Sequence, residues 1–473
     1  MNRCREGSSV ARQSGLVLVL FMIVLLLVAI GFLANGISAR STKQEREFRT
    51  VAALAKAKEA LIAYAVRYSD THPNNVPGYL PCPDVGTSEG TTAASCGTKN
   101  VSSIRRLPWR ELGLEVLRDG SGECLWYVVS GTFKYSPKTD LMNWDNTGLI
   151  EIVDDDGTTL IAGGTPEKRA VAAVIAPGAP VASQNRTMAA SANECGGNYS
   201  ATNYLEIRNG VNNTATAVGA NAISRLIAGK ESETFNDRII YITADEIFSA
   251  IRARKDFRAR LEALTGTIAS CLGKFGELNG SPINANDNRL PWPAPVNLAS
   301  FTSNTSYDDS ATGARKSGRL PFRVAVSKSA TANQMSGQNL LSNVAFSNCT
   351  SWTTDDANWY SNWKDHFFYY VSGPFAPIST VPTALPCTSC LTVNGTGNYA
   401  AIVLFAGEKT TGQTRNTVTD KGIIGNYLEG RNSTSHPNIS GASNLEKSTA
   451  TNDFLQCVTF DTVTRVSQTF PCP

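Results

Sequence analysis

Between Gln13 and Ala39 the chain carries no charge, and Leu16 to Leu33 is an unbroken apolar run. As a helix at about 1.5 Å per residue it is roughly 27 Å long, close to a hydrocarbon layer of about 30 Å. A helix packed on a globular core keeps polar residues on one face. This run has none, so a transmembrane helix is expected over 16–36. A secretory signal peptide has a shorter apolar stretch, about 7–15 residues, and a small-x-small cleavage site. Ile37-Ser38-Ala39 is a poor one. A plain signal anchor stays open. Charge does not fix the orientation, since Arg3, Arg5 and Arg12 precede the run and Arg40, Lys43, Arg46 and Arg49 follow it.

The residues before the run narrow the choice. In Arg12-Gln13-Ser14-Gly15-Leu16 a short basic leader ends in Gly and the apolar run starts at the next residue. This resembles the prepilin signature shared by type IV pilins and type II secretion pseudopilins. The resemblance implies a leader over 1–15, a cut by prepilin peptidase between Gly15 and Leu16, and methylation of the new N-terminus. It also implies that the helix stays on the mature chain as anchor and stalk and packs against other pilin or pseudopilin subunits. The expected location is then the inner membrane, single-pass, with the rest in the periplasm or on the cell surface. The family usually places Glu five residues into the mature chain, and here that residue is Leu20. Some minor pilins and tip pseudopilins resemble this chain in lacking it.

A length of 473 residues suits two or three domains. Lys+Arg is 43 and Asp+Glu is 40, which leaves no basic excess for a nucleic-acid binder. A hydrophobic content of 42% supplies a large core and excludes bulk disorder. With three His in the chain, little material exists for metal or acid/base sites, and nothing calls for a cofactor.

Eleven Cys fall to ten once Cys4 leaves with the leader, an even number as paired, exported domains require. Short loops suit the closures Cys82–Cys96, Cys387–Cys390 and Cys457–Cys472; the remaining pairing stays open. Cys387-Thr388-Ser389-Cys390 lacks the βαβ context of a redox motif.

The chain also repeats itself. Asn203-Tyr204-Leu205-Glu206-Ile207-Arg208-Asn209 returns as Asn426-Tyr427-Leu428-Glu429-Gly430-Arg431-Asn432. In the same order, Arg106-Leu107-Pro108-Trp109 matches Arg319-Leu320-Pro321-Phe322, and Tyr127 to Gly131 matches Tyr369 to Gly373. Ala173 to Gly178 matches Ile402 to Gly407, and Asn236-Asp237 matches Asn452-Asp453. Collinear order predicts two related lobes, 37–242 and 243–473. Each opens with a helix, Val51 to Tyr68 in the first and Ile247 to Phe275 in the second, where Thr243 and Glu246 form a capping box. Short aliphatic strands follow. They are Leu125–Ser130, Ile150–Val153, Leu160–Ala162, Val171–Ala176 and Arg238–Ile242, then Phe367–Val371, Ala400–Phe405 and Cys457–Phe460. The expected fold class is α+β: a long N-terminal helix, then two lobes, each a helix on an antiparallel sheet, which is also the pilin architecture.

Candidate chemistry is sparse. Gly86-Thr87-Ser88-Glu89-Gly90 matches a nucleophile-elbow pattern but sits in a Gly/Thr/Ser loop, where the pattern needs a strand before it and a helix after it. Only His366 and His436 could serve Ser88 as a base. Asp154, Asp155 and Asp156 could offer oxygens to calcium, although Asp156-Gly157 between apolar runs is also a hairpin signal. Trp352, Trp359, Tyr360, Trp363 and Phe367 to Tyr370 read as core, with Trp352–Trp363 the first place to look for a binding surface. Glu206 and Arg208, two apart, would share a face of a strand. No catalytic residue is assigned. The expected function is a minor pilin or pseudopilin at a filament tip, because a soluble part this large is hard to fit into a helical shaft. The alternative is a membrane-anchored, adhesin-like binding protein outside any filament.

Overall fold

A computed structural model describes residues 14–181, 184–188, 192–278, 287–310, 316–324, 338–341, 349–377, 383–387, 389–435, 444–447 and 452–473. The side chains of 14–21 and 23–40 lie outside that description. The chain is a mixed α and β protein with several sheets and few helices.

Helix α1 spans Ser14–Thr71. Its described residues 41–49 are all exposed, while Ala53, Leu54, Ala57, Leu61, Ala65 and Tyr68 are buried at helical spacing. Among the described residues no helix is long and apolar enough to cross a membrane. That corrects the expected anchor over 16–36 and the inner-membrane placement drawn from it. The described part of α1 carries Lys43, Glu45, Arg46, Glu47 and Arg49 within two turns, charges that hydrocarbon does not accept. Of the apolar run only the Met22 side chain is described; its other side chains, with those of Gly15 and Leu16, lie outside the described residues, as does the leader through Gln13.

Lobe one contributes β1 (Ser103–Arg106), β2 (Trp126–Val129), β3 (Ile150–Asp154), β4 (Leu160–Ala162), β5 (Ala170–Ala176), β6 (Ser224–Ala228) and β7 (Arg238–Thr243). β1, β2, β5 and β7 form an antiparallel run, and β3 pairs antiparallel with β4 and parallel with β6. The expectation of a purely antiparallel sheet therefore fails at β6. The described end of α1 packs on β5 and β7.

Thr243 closes β7 and caps α2 (Ala244–Arg252) through the expected capping box: its hydroxyl accepts from Glu246 N, and Glu246 Oε2 accepts from Thr243 N. After α2 comes α3 (Lys255–Glu277). Lobe two builds β8 (Ser317–Arg319), β9 (Phe367–Val371), β10 (Ala401–Phe405), β11 (Phe454–Phe460) and β12 (Ser467–Pro471) into one antiparallel sheet in that order. α3 lies on β10, β11 and β12.

The two sheets correspond strand for strand, β1 with β8, β2 with β9, β5 with β10 and β7 with β11. The registers agree: Ile175 stands opposite Ile239, and Leu404 opposite Leu455. Tyr127 donates its hydroxyl to Pro81 O and Tyr369 donates to Pro291 O, both at 3.2 Å. One buried apolar cluster runs from α1 through α2 and α3 to the inner faces of both sheets, so the lobes share a core.

Candidate functional site

The same polar network is built twice behind these sheets. In lobe one Arg186 sends Nη1 to Gly178 O, Nε to Asn203 O and Nη2 to Gln184, and lies over the Tyr204 ring at 4.6 Å. Gln184 then donates to Glu206 Oε1 at 2.7 Å. In lobe two Arg415 makes the matching contacts to Gly407 O, Asn426 O and Gln413, and lies 4.3 Å over Tyr427. Gln413 donates to Glu429 Oε1 at 3.1 Å. Asn236 donates to Ala179 O and Asn452 to Glu408 O. A side chain on Gly178 or Gly407 would strike these two Asn residues, so glycine is what lets the strand end close on the network.

Each copy ends in two carboxyls. Asn213 Nδ2 donates to Asp237 Oδ2, and Asn432 Nδ2 to Asp453 Oδ2, both at 2.9 Å. Burial, then the neighbouring Glu206, push the Asp237 carboxyl up; burial, then Glu429, push Asp453 up to about 7. Asp237 Oδ1 and Glu429 Oε2 are buried and receive no hydrogen from a donor group. One proton shared within each carboxyl pair supplies it, since two like charges so close cannot both ionise.

The copies differ at the joint between the lobes. Arg415 Nη1 also reaches Asp145 Oδ2 of lobe one at 3.3 Å and His366 Nε2 at 3.2 Å. His366 stands between Asp145, 3.1 Å from Nε2, and Asp365, 3.0 Å from Nδ1. Trp144 Nε1 can only donate, and it points at His366 Nε2 at 2.9 Å. Nε2 therefore accepts, and the ring proton sits on Nδ1 facing Asp365. Lys421 Nζ meets Asp365 Oδ2 at 2.7 Å. Burial opposes ionisation of both aspartates. Arg415 holds Asp145 below the usual range, and Lys421, helped by the Nδ1–H of His366, does so for Asp365.

Asp145, Asp365 and His366 are the kind of trio that can ligate a metal ion. The donor set argues otherwise. Two carboxylates are already matched by one guanidinium and one ammonium, and the imidazole lone pair faces an indole N–H. This is a charge-balanced clasp holding lobe to lobe, with Asn143 adding bonds to Asn362 O and Asp365.

The other sequence candidates disperse. Asp154 to Gly157 form the β3–β4 turn. Asp154 Oδ1 accepts from Asp155 N, Asp155 Oδ1 from Arg208 and Lys230 N, and Asp156 from Thr158 N and Thr159, so donors of the chain take one oxygen each of Asp154 and Asp155 and both of Asp156. Ser88 lies in the loop that the Cys82–Cys96 bridge closes, and its carbonyl accepts from Thr91. His366 is spent in the clasp, and His436 lies outside the described residues. Trp352, Trp359, Tyr360 and Trp363 are all buried, the last three on a helix, α4 (Thr354–Trp363); Trp363 meets Trp144 edge-on at 4.6 Å.

Glu206 and Arg208 do not share a site. Glu206 accepts from Asn236 N and Asp237 N, whereas Arg208 pairs with Asp155. Five bridges form: Cys82–Cys96, Cys124–Cys195, Cys271–Cys349, Cys387–Cys390 and Cys457–Cys472.

The clasp escapes sequence reading because its partners lie in different lobes. Gln184-x-Arg186 and Gln413-x-Arg415 did carry a signal, since they continue the Gly178 and Gly407 match at the same spacing. No protein-family model, curated protein or solved structure matches this chain.

Proposed function

We propose that this protein is a minor pilin or pseudopilin, at the tip of a type IV pilus or type II secretion filament, whose two lobes descend from one duplicated pilin-like unit. The observation that carries the reading is α1. A helix of 58 residues begins at the Gly15 motif, runs through exposed residues 41–49, where Lys43 and Glu47 pair with Glu231 and Arg238 of lobe one, and ends packed on the antiparallel strands β5 and β7. In this reading the N-terminal part of α1 packs with the like helix of other subunits, after prepilin peptidase cuts between Gly15 and Leu16. Work is done by packing rather than catalysis. Five disulfides support maturation in an oxidising compartment. The twice-built network behind the sheets supports duplication.

Mass spectrometry of the mature N-terminus tests the proposal. Methylated Leu16 is expected. An intact Met1, or a cut after Ala39, overturns it in favour of a binding protein that never enters a filament.

A further inference from the structure

β7 and β11 hold the same place in their sheets, but their far sides differ. In lobe two β12 lines β11, with Cys457 opposite Phe470, and Leu455 O accepts from Cys472 N at 3.0 Å. Backbone groups of an antiparallel strand point to alternate sides residue by residue. Leu455 and Cys457 thus turn theirs towards β12. In lobe one their counterparts are Ile239 and Tyr241. Among the described residues no strand pairs with β7 on that side, and no hydrogen bond reaches the outward groups of these two residues. Accordingly Arg238 to Tyr241 are half-buried, whereas Leu455 to Val458 are buried.

Natural sheets guard their edges with charge, proline or shortness. β1 carries Arg105 and Arg106, β8 has three residues, and β12 ends in Pro471. Between its end residues Arg238 and Thr243, β7 reads Ile239-Ile240-Tyr241-Ile242 and has none of these guards. Its one charge, Arg238, stands at the start of the strand, and the others stand beside it. Arg238 pairs with Glu47 at 3.5 Å, and Lys58 pairs with Glu246 and lies 5.9 Å over the Tyr241 ring.

We infer that the β7 edge is a docking site that receives an extended, uncharged strand of a partner protein, antiparallel to β7. Lobe two displays the form of the occupant. Ser467-Gln468-Thr469-Phe470-Pro471 bears no charge, runs antiparallel, and lies against its helix where a Cβ on Gly273 would strike Ser467. Such strand addition draws affinity from main-chain hydrogen bonds and specificity from alternate side chains. The choice of a different chain over a second copy rests on the proposed filament role. Two β7 strands paired about a two-fold axis set their α1 helices antiparallel, and a filament needs them alike in direction.

Amide hydrogen exchange on the full chain tests the site without any variant and independently of N-terminal processing. In the free, monomeric protein Ile239 and Tyr241 amides are expected to exchange at least about 100-fold faster than those of Leu455 and Cys457. A peptide of residues 466–472 with Cys472→Ser, at about 1 mM, is expected to slow Ile239 and Tyr241 at least tenfold. A scrambled peptide with a central proline should leave them unchanged. The inference is overturned by slow exchange at Ile239 and Tyr241 in the free monomer, by protection that appears only with dimerisation, by equal protection from the scrambled peptide, or by no slowing with the strand peptide.

Discussion

Arg186 and Arg415 sit at matching points of the two lobes, each over a tyrosine ring and each bonded to a glycine carbonyl and a glutamine. Their remaining company differs. Arg186 pairs with Glu123, whose side chain is 22% exposed, so water shares the charge. Arg415 is fully buried and pairs with Asp145 of the other lobe, 1% exposed. One constellation thus serves as a surface brace in lobe one and as the hinge pin of a dry clasp in lobe two. The sheets diverge in the same spirit: lobe two covers its last edge with β12, and lobe one leaves β7 open.

The largest break in the comparison comes from the disulfides, one long-range and one local. Cys124–Cys195 closes a separation of 71 residues and Cys457–Cys472 one of 15. By loop entropy, loss of the first costs about 4–5 kcal/mol and loss of the second about 3. Denaturant titration of the paired Cys→Ser variants checks the order, and a larger loss in lobe two would show that β12 matters more than loop length. Arg415→Ala comes next. It strands Asp145 in a dry site and costs about 3–5 kcal/mol. Arg186→Ala loses bonds that water partly replaces and costs about 1–3 kcal/mol. Equal losses in the two variants would deny the clasp its role.

A pH scan sharpens the carboxyl pairs. Asp453 is raised from the usual 3.8 to about 7, so the folded state holds a proton that the unfolded state releases. Its contribution is fully present below pH 4 and is lost as pH rises towards 7. Asp453→Asn should flatten that decline by up to a few kcal/mol, read as stability against pH. Asp145 and Asp365 act in the opposite sense. Their depressed values add stability above the usual aspartate range that is lost on acidification below it. The smallest effect is Tyr127→Phe against Tyr369→Phe. Each removes one buried bond to a proline carbonyl, and each should cost about 1 kcal/mol, equally in both lobes.

What the sequence revealed were elements whose own residues decide their state. Phe367–Val371 and Leu160–Ala162 appear with the expected bounds, and the Thr243–Glu246 box starts its helix as read. The three local bridges form as loop length suggested. β1, β8 and β12 escaped because Ser, Arg, Gly and Gln residues carry no aliphatic signal. The repeat itself misled at one point. Asn209 aligns with Asn432 by letter, yet Asn213 holds the matching bond to its aspartate. Asn209-Gly210 take positive φ and turn a small hairpin, Ile207–Arg208 with Val211–Asn212. Ser433 follows Asn432, and Gly430–Thr434 winds into a helix instead. Four extra residues in lobe one thus shift which asparagine arrives. The clasp was out of reach because no local pattern ties Asp145 to a histidine and an arginine more than two hundred positions away.

The clasp has a further consequence for anyone who would cut the molecule at Thr243. The first half would be left with an aspartate anion that has lost its guanidinium, and the second with a guanidinium that has lost that anion. Trp144 would be bared on one fragment and Trp363 on the other. Neither fragment could stand as an independent domain without sticking to its missing twin, so the two lobes now form one obligate body.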